Sequence, residues 1–221
     1  MKLRTILAAS TALSLVAAAP GASASELYLS VFGGMNLLSD TDGQYVSPTF
    51  SSSSSVIAPW SSDADTGFVV GGAVGTSLDK WVNGLRVEAE VPFRRNDLGG
   101  TYSTSGTIDG NLSTFAVMAN AWYDFDIGAK VRPYVGGGIG WARMDGDVVL
   151  FTDSSAMEQT DSGFAWQIGL GGRYAVGDGV AVGLGYRYFS GPEFASFGAA
   201  DSSRLDNDSH AVQLELNIDI K

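Results

Sequence analysis

The sequence contains a single histidine, and its neighbours are the residue types that nucleophilic catalysis requires. Ser209 directly precedes His210, and Asp206 and Asp208 lie just upstream. A histidine that takes the proton of a serine hydroxyl, and is oriented by a carboxylate, activates the serine for acyl transfer. Adjacent residues of a β-strand point to opposite faces, so Ser209 cannot easily reach the imidazole if this segment is extended. The spacing therefore favours a protein that is not an enzyme.

Three aspartates near the C-terminus are the other residues with possible chemistry. Asp201, Asp206 and Asp208 carry carboxylates, the ligands that Ca²⁺ prefers. Their spacing does not match an EF-hand loop, and exposed charge runs are usually solvated surface. The sequence has no cysteine, which excludes disulfides, thiolate metal sites and cysteine nucleophiles. We therefore expect no catalytic residue, no metal site and no cofactor.

Eight charged residues occupy alternate positions within otherwise apolar stretches. Alternate residues of a strand share one face, so these charges are expected to lie together on one side of a sheet. They either pair in a closed interior or select ions in a narrow pore. The eight residues are Arg86, Glu88, Glu90, Arg94, Arg173, Arg187, Glu215 and Asp219.

Alternation of period two runs through most of the chain and predicts an all-β fold. The clearest strand is 212–221, in which apolar residues alternate with polar ones without exception. No segment after residue 25 has the 18 consecutive apolar residues of a transmembrane helix. The other predicted strands cover roughly 27–37, 67–78, 85–94, 114–123, 132–145, 164–173 and 180–188.

The predicted connections alternate between long and short. The short ones are 79–84, 126–131 and 175–179, whereas the long ones are 38–66, 97–110, 146–161 and 191–208. Bacterial outer-membrane barrels have short periplasmic turns and longer outer loops, and an even strand number brings both termini to the periplasm. The sequence therefore predicts an eight-stranded antiparallel up-and-down transmembrane β-barrel. Its long loops are polar, which favours surface ligands as partners.

A soluble barrel with an apolar interior is the alternative to a membrane barrel. Large aromatic residues gather toward the strand ends, as in the interfacial girdles of a barrel in lipid. This arrangement favours an apolar face toward lipid and a charged face toward the lumen. The girdle residues are predicted to be Phe68, Phe93, Tyr123, Tyr134, Trp141, Phe164, Trp166, Tyr174 and Tyr188.

The N-terminus predicts export. Lys2 and Arg4 precede an apolar run, and small residues follow at 20–24, which is the pattern of a cleaved secretory signal. We expect a signal peptide at 1–24 and a barrel domain at 25–221. Loss of Lys2 and Arg4 leaves 11 of the 13 basic residues against 24 acidic ones, a net charge of −13. This charge disfavours nucleic acid as a partner.

Several glycine-rich strands carry a family resemblance over the whole mature chain. They are RPYVGGGIGWARMD at 132–145, after AWYDF at 121–125, and FAWQIGLGGRY at 164–174, followed by VGLGYRYF at 182–189. The chain resembles the outer-membrane β-barrel family, which includes opacity-type and porin-like surface proteins of alphaproteobacteria and the transmembrane domain of outer-membrane protein A. The resemblance implies location in the outer membrane, with lipid, lipopolysaccharide and the assembly machinery as partners. The chain departs from the family's usual aromatic terminus by ending in Ile220 and Lys221.

The charged lumen face decides between the remaining functions. Counting from the turns puts Glu90, Arg187 and Glu215 near the middle of the barrel. Opposite charges in a dry, narrow space should pair, because an unpaired one costs about 3 to 5 kcal/mol. We therefore expect a plugged barrel with a structural or surface-interaction role in the envelope. A narrow porin-like channel is the second hypothesis, and an enzyme and a soluble carrier follow.

Overall fold

The computed structural model describes residues 27–39, 41–47, 56–64, 66–102, 106–150, 155–192, 194–195, 204–205 and 207–220. The predicted signal peptide at 1–24 lies outside these ranges. Across them no helix is long and apolar enough to cross a membrane. The strands are β1 (Leu27–Leu38), β2 (Thr41–Ser47), β3 (Val56–Ala64), β4 (Thr66–Ser77), β5 (Leu85–Tyr102), β6 (Gly106–Asp124), β7 (Val131–Leu150), β8 (Ser155–Gly177), β9 (Val180–Ser190), β10 (Phe194–Ala195), β11 (Arg204–Leu205) and β12 (Asp208–Asp219).

Eight of these strands close into an antiparallel barrel. Their order around the barrel is β1, β4, β5, β6, β7, β8, β9 and β12. β12 pairs with β1 from Tyr28 opposite Asp219 to Leu38 opposite Ser209, which joins the first strand to the last. Closure leaves none of these eight strands at an open edge of the barrel, as a protein in hydrocarbon requires. The predicted fold class is confirmed.

Three short connections lie at the end of the barrel that carries both termini. Gly84, Gly128 and Gly179 have positive φ angles in these turns. A Cβ atom at Gly84 would approach the Asp124 carbonyl oxygen to 2.4 Å, so this turn requires glycine. The positions agree with the predicted short periplasmic turns.

The opposite end differs from the prediction, because much of the predicted loop sequence is strand. β5 to β8 contain 18, 19, 20 and 23 residues, whereas a transmembrane strand needs about 9 to 11. The predicted loop 38–66 contains β2 and β3, and β3 extends the sheet by pairing with β5. Backbone pairing continues in water without apolar alternation, so the sequence pattern ends before the strands do. Residues 48–55, 103–105, 151–154 and 196–203 lie outside the described ranges.

The two faces of the barrel wall are sorted as the alternation predicts. On β12, Leu214 is 67% exposed on the outer face and Glu215 is 7% exposed in the lumen. A soluble barrel would bury its apolar face, so the carrier hypothesis is wrong. Tyr134 is a further correction: it is 3% exposed and points into the lumen, not into a girdle. Its strand is rich in glycine, and glycine does not mark which face is apolar.

Candidate functional site

The middle of the lumen is occupied by one arginine and two carboxylates. Arg187 on β9 donates to Glu90 Oε2 on β5 at 2.6 Å and to Glu215 Oε1 on β12 at 3.0 Å. The exposed fractions of the three residues are 4%, 1% and 7%. We call Arg187, Glu90 and Glu215 the central cluster. It ties together three strands that are distant in sequence.

Neutral side chains donate further hydrogen bonds to the two carboxylates of this cluster. Glu90 accepts hydrogen bonds from Asn120 at 2.7 Å and from Gln167 at 3.3 Å. Glu215 accepts from the Tyr134 hydroxyl at 2.9 Å and from Gln213 at 3.1 Å. Buried carboxylates are stable only when paired and hydrogen-bonded in this way. The cluster and its donors therefore join β5, β6, β7, β8, β9 and β12 across the lumen.

An aromatic side chain completes the packing at this depth. The Arg187 guanidinium lies 4.2 Å from the centre of the Trp122 ring, and Trp122 is 1% exposed. The facing positions of β7 are glycines, and a Cβ atom at Gly136 would meet Trp122 Cε3 at 2.6 Å. Glycine on β7 thus makes room for a large side chain on β6. The interior of an eight-stranded barrel is narrow enough to be filled by such side chains.

A second ionic cluster lies nearer the periplasmic end. Arg86 donates to Glu88 Oε1 at 2.6 Å and to Asp124 Oδ2 at 2.7 Å. Arg173 also forms an ion pair with Asp124, and the Tyr28 hydroxyl donates to Glu88 at 2.6 Å. We call these five residues the periplasmic cluster. Its side-chain contacts connect β1, β5, β6 and β8.

A cavity of about 320 Å³ lies next to this cluster and opens at the end with the short turns. It is bordered by charged residues of both signs. Water therefore has access to the periplasmic cluster but meets the buried central cluster beyond it. The cavity lining is Tyr28, Ser77, Asp79, Asn83, Gly84, Arg86, Asp124, Asp126, Arg132, Arg173 and Asp219.

Arg94 lies toward the outer end of the lumen and has a different environment. Its guanidinium lies 3.9 Å from the centre of the Phe189 ring and 3.5 Å from Gln167 Oε1. Its Nε and Nη1 atoms are buried without a hydrogen-bond partner. Within the described ranges, Arg94 forms no ion pair with a carboxylate, so it belongs to neither cluster.

The structure thus brings together six of the eight residues singled out from the sequence. Arg187, Glu90 and Glu215 meet in the central cluster, and Arg86, Glu88 and Arg173 meet in the periplasmic cluster. Arg94 shares their lumen, whereas Asp219 is exposed at the barrel end and lies outside both clusters. The sequence reasoning missed Tyr28, Asn120, Trp122, Asp124, Tyr134, Gln167 and Gln213 as partners.

The residues considered for catalysis are separated by the barrel wall. Ser209 is 1% exposed in the lumen, whereas His210 faces outward and shares a 2.6 Å hydrogen bond with the Tyr186 hydroxyl through Nδ1. Asp208 accepts from the Tyr188 hydroxyl at 2.6 Å. Asp201 and Asp206 lie outside the described residues. In the part of the chain that is described, no three His, Cys, Asp or Glu residues are placed to hold a metal ion.

A closed barrel with an apolar exterior and a polar, packed lumen defines a class, the transmembrane β-barrels of bacterial outer membranes. The sequence matches the family model of the outer membrane protein β-barrel domain over residues 5–217. The chain therefore belongs to this family and is an outer-membrane protein.

Individual similarities agree with this assignment. Outer membrane protein PagN of Salmonella typhimurium is 30% identical over 77 residues, which cover 33% of this chain and 32% of PagN. The match thus spans about a third of that relative. Neisserial surface protein A has a TM-score of 0.53 at 22% identity, covering 90% of this chain and 99% of its own. OprG of Pseudomonas aeruginosa has a TM-score of 0.52 at 10% identity, covering 88% and 96%. At these identities the two structures show the fold alone.

Proposed function

We propose that the protein is a closed, non-enzymatic barrel with a structural and surface-interaction role in the outer membrane. The central cluster carries this proposal. Glu90, Trp122 and Gln167 are each 1% exposed, so side chains fill the lumen at this level. Opening a path through them would separate Arg187 from two buried carboxylates, at a cost of about 3 to 5 kcal/mol.

The long strands support the surface-interaction part of the proposal. β7 and β8 have 20 and 23 residues, about twice the length that crosses the hydrocarbon layer. Their outer halves stay paired from Arg143 opposite Ser162 to Leu150 opposite Ser155, beyond the length that crosses the hydrocarbon layer. Loops positioned by a rigid scaffold are the usual carriers of binding function. Ligands of this surface, outer-membrane lipid and the assembly machinery are the proposed partners.

A narrow channel for small solutes or ions is the second candidate. The cavity beside the periplasmic cluster favours it, because this cavity already brings water into the lower lumen. A channel would require Arg187 to leave Glu90 or Glu215 in an open state.

Single-channel conductance in a planar bilayer distinguishes the two candidates. The refolded mature protein is first checked for the heat-dependent shift in gel mobility that closed barrels show. Our proposal expects no steady openings from this folded sample. Discrete openings that change when Arg187 or Glu215 is neutralised would establish the channel and refute the closed barrel.

The non-enzymatic part of the proposal has a separate test. His210→Ala is expected to leave the acylation pattern of lipid A unchanged in cells that produce the protein, because the histidine and Ser209 lie on opposite faces. A changed pattern on mass spectrometry would contradict the proposal.

A further inference from the structure

Two arginines face each other in the cavity at the periplasmic end of the barrel. Arg132 on β7 pairs in register with Arg173 on β8, and both side chains line the cavity. Like charges directly opposite each other on neighbouring strands destabilise a sheet. A carboxylate between the two guanidinium groups would remove this repulsion, because each of its oxygen atoms accepts hydrogen bonds. The pair is therefore placed to bind an anionic group.

Neither of these arginines is fully used by the protein itself. Within the described ranges, the exposed side chain of Arg132 forms no ion pair and no hydrogen bond. Arg173 donates from Nη2 to Asp124, and its Nε atom is buried without a hydrogen-bond partner. Arg86, by contrast, already pairs with both Glu88 and Asp124. The positive charge available to a ligand thus lies on the wall formed by β7 and β8.

Negative charge lies on the other side of the cavity. Asp79, in the turn between β4 and β5, also lines it. β8 is the fourth strand from β4 in either direction around the barrel, so Asp79 and Arg173 approach the cavity from opposite sides. Asp79 Oδ1 accepts from the Gly84 backbone N–H at 2.7 Å, and Oδ2 has no hydrogen-bond partner among the described residues. This second oxygen is available to a cationic group of a ligand.

The remaining lining residues disfavour a ligand that carries negative charge alone. The cavity is also bordered by Asp126 and Asp219, and neither carboxylate forms an ion pair within the part of the chain that is described. These carboxylates would repel a simple anion. A ligand with one charge of each sign avoids this repulsion and pairs with both sides of the cavity.

The size of the cavity and the separation of its charges indicate the length of the ligand. A volume of about 320 Å³ lies at the lower end of the range for small-molecule sites. A free amino acid carries both charges on one carbon atom, whereas the two sides of this cavity belong to opposite strands. Each further residue lengthens an extended peptide by about 3.3 to 3.6 Å. A peptide of two or three residues therefore fits the cavity better than an amino acid does.

We propose that this cavity binds a short peptide with free termini, with its carboxylate between Arg132 and Arg173 and its ammonium group against Asp79. The ligand comes from the periplasm, because the cavity opens at the end of the barrel with the short turns. The buried central cluster lies beyond the cavity. The peptide binds at the mouth, so this site is independent of whether the lumen conducts.

Saturation-transfer NMR on the refolded mature protein, in a deuterated non-ionic detergent, tests the site. L-Alanyl-L-alanine is titrated beside two capped forms, the N-acetyl dipeptide without an ammonium group and the dipeptide amide without a carboxylate. We expect the uncapped dipeptide to bind more tightly than either capped form and more tightly than free alanine. No binding of the dipeptide would overturn the proposal, and so would equal binding of a capped form or of alanine.

Arg132→Gln tests the carboxylate side of the site. It should weaken binding of the dipeptide about fivefold, which is the upper range for an exposed ion pair. The affinity for the dipeptide amide should not change, because the amide has no carboxylate to lose a contact. Lys130→Gln removes a positive charge from the adjacent turn outside the cavity and should change neither affinity. Unchanged binding of the dipeptide to the Arg132 variant would refute the site.

Asp79→Asn tests the ammonium side, and its amide oxygen can still accept from the Gly84 N–H. It should weaken binding of the dipeptide about fivefold but leave the N-acetyl form no weaker, since that form has no ammonium group. Asp178→Asn, in the turn between β8 and β9, is the matched control and should have no effect. An equal loss of affinity for the dipeptide and its N-acetyl form would refute the contact with Asp79. The heat-dependent gel shift confirms that each variant is folded.

Discussion

Two arginines in the same lumen, Arg187 and Arg94, have the same exposed fraction of 4% and very different surroundings. Arg187 lies between two carboxylates and against Trp122. Arg94 lies against the Phe189 ring, with two nitrogen atoms lacking partners. Burial alone therefore does not distinguish the two arginines, whereas their sets of contacts do.

The expected cost of removing each arginine differs accordingly. Removing Arg187 leaves Glu90 and Glu215 as buried charges without a cation, which is the costly way to break a buried ion pair. Removing Arg94 leaves no carboxylate of the described residues unpaired and deletes two unsatisfied donors. Substitutions of lumen residues should therefore differ in cost according to how many buried carboxylates each leaves unpaired.

Arg187→Ala is expected to have the largest effect. It should lower the free energy of unfolding by about 3 to 5 kcal/mol, since two buried carboxylates lose their partner. Urea unfolding in lipid vesicles and the temperature of the gel shift both measure it. Arg143→Ala, which removes an exposed arginine that also forms an ion pair, is the control and should cost less than about 1 kcal/mol. Unchanged heat resistance of the Arg187 variant would contradict the account.

Arg86→Met is expected to cost less, about 2 kcal/mol, although Arg86 also contacts two carboxylates. The adjacent cavity allows water to hydrate Glu88 and Asp124 once the guanidinium is gone. The same unfolding measurement applies. A loss of stability larger than that of Arg187→Ala would show that the periplasmic cluster stabilises the barrel more than the central cluster does.

Glu215→Gln is expected to cost about 1 to 2 kcal/mol, because the amide keeps a hydrogen bond to Arg187 but loses its charge. Asp219→Asn on the same strand is the matched control. Asp219 is exposed and outside both clusters, so its substitution should change the free energy of unfolding by less than about 0.5 kcal/mol. Equal changes in the free energy of unfolding for the two variants would mean that the contacts of Glu215 in the central cluster do not stabilise the barrel.

Arg94→Met is expected to have the smallest effect, a change of less than about 1 kcal/mol in either direction. Methionine has a similar length and fills irregular space, while the lost contact with Phe189 is offset by removal of unsatisfied donors. A destabilisation as large as that of Arg187→Ala would show that Arg94 has a partner of equal importance.

The alternation of the sequence was sufficient to predict the eight strands of the barrel and the lumen face of most of the charged residues. It placed Arg187 and Glu215 on one face because apolar neighbours marked the other face. It failed for Tyr134, because the glycines that follow at 136–138 carry no such mark. It also missed Asp124, which follows the last regular apolar position of its strand and pairs with Arg86 and Arg173.

The pairing of charges across the barrel could be predicted only in part. Depth counted from the turns placed Glu90, Arg187 and Glu215 together, because strand rise per residue is nearly constant. Which neutral residues complete the cluster depends on stagger and side-chain shape, which one sequence does not reveal. The outer strand extensions were missed because backbone hydrogen bonds, not apolar alternation, define them.

A double-mutant cycle between Arg187 and Glu90 tests the central claim most directly. Unfolding in lipid vesicles is measured for Arg187→Met, Glu90→Gln and the double variant, and the coupling energy is taken from the four free energies. If the ion pair of Arg187 and Glu90 stabilises the closed lumen, the double variant loses less free energy of unfolding than the two single variants together. The difference should be about 2 kcal/mol or more. Additive losses, within about 0.5 kcal/mol, would show that the two residues do not act on each other, and would contradict the proposed closure of the lumen.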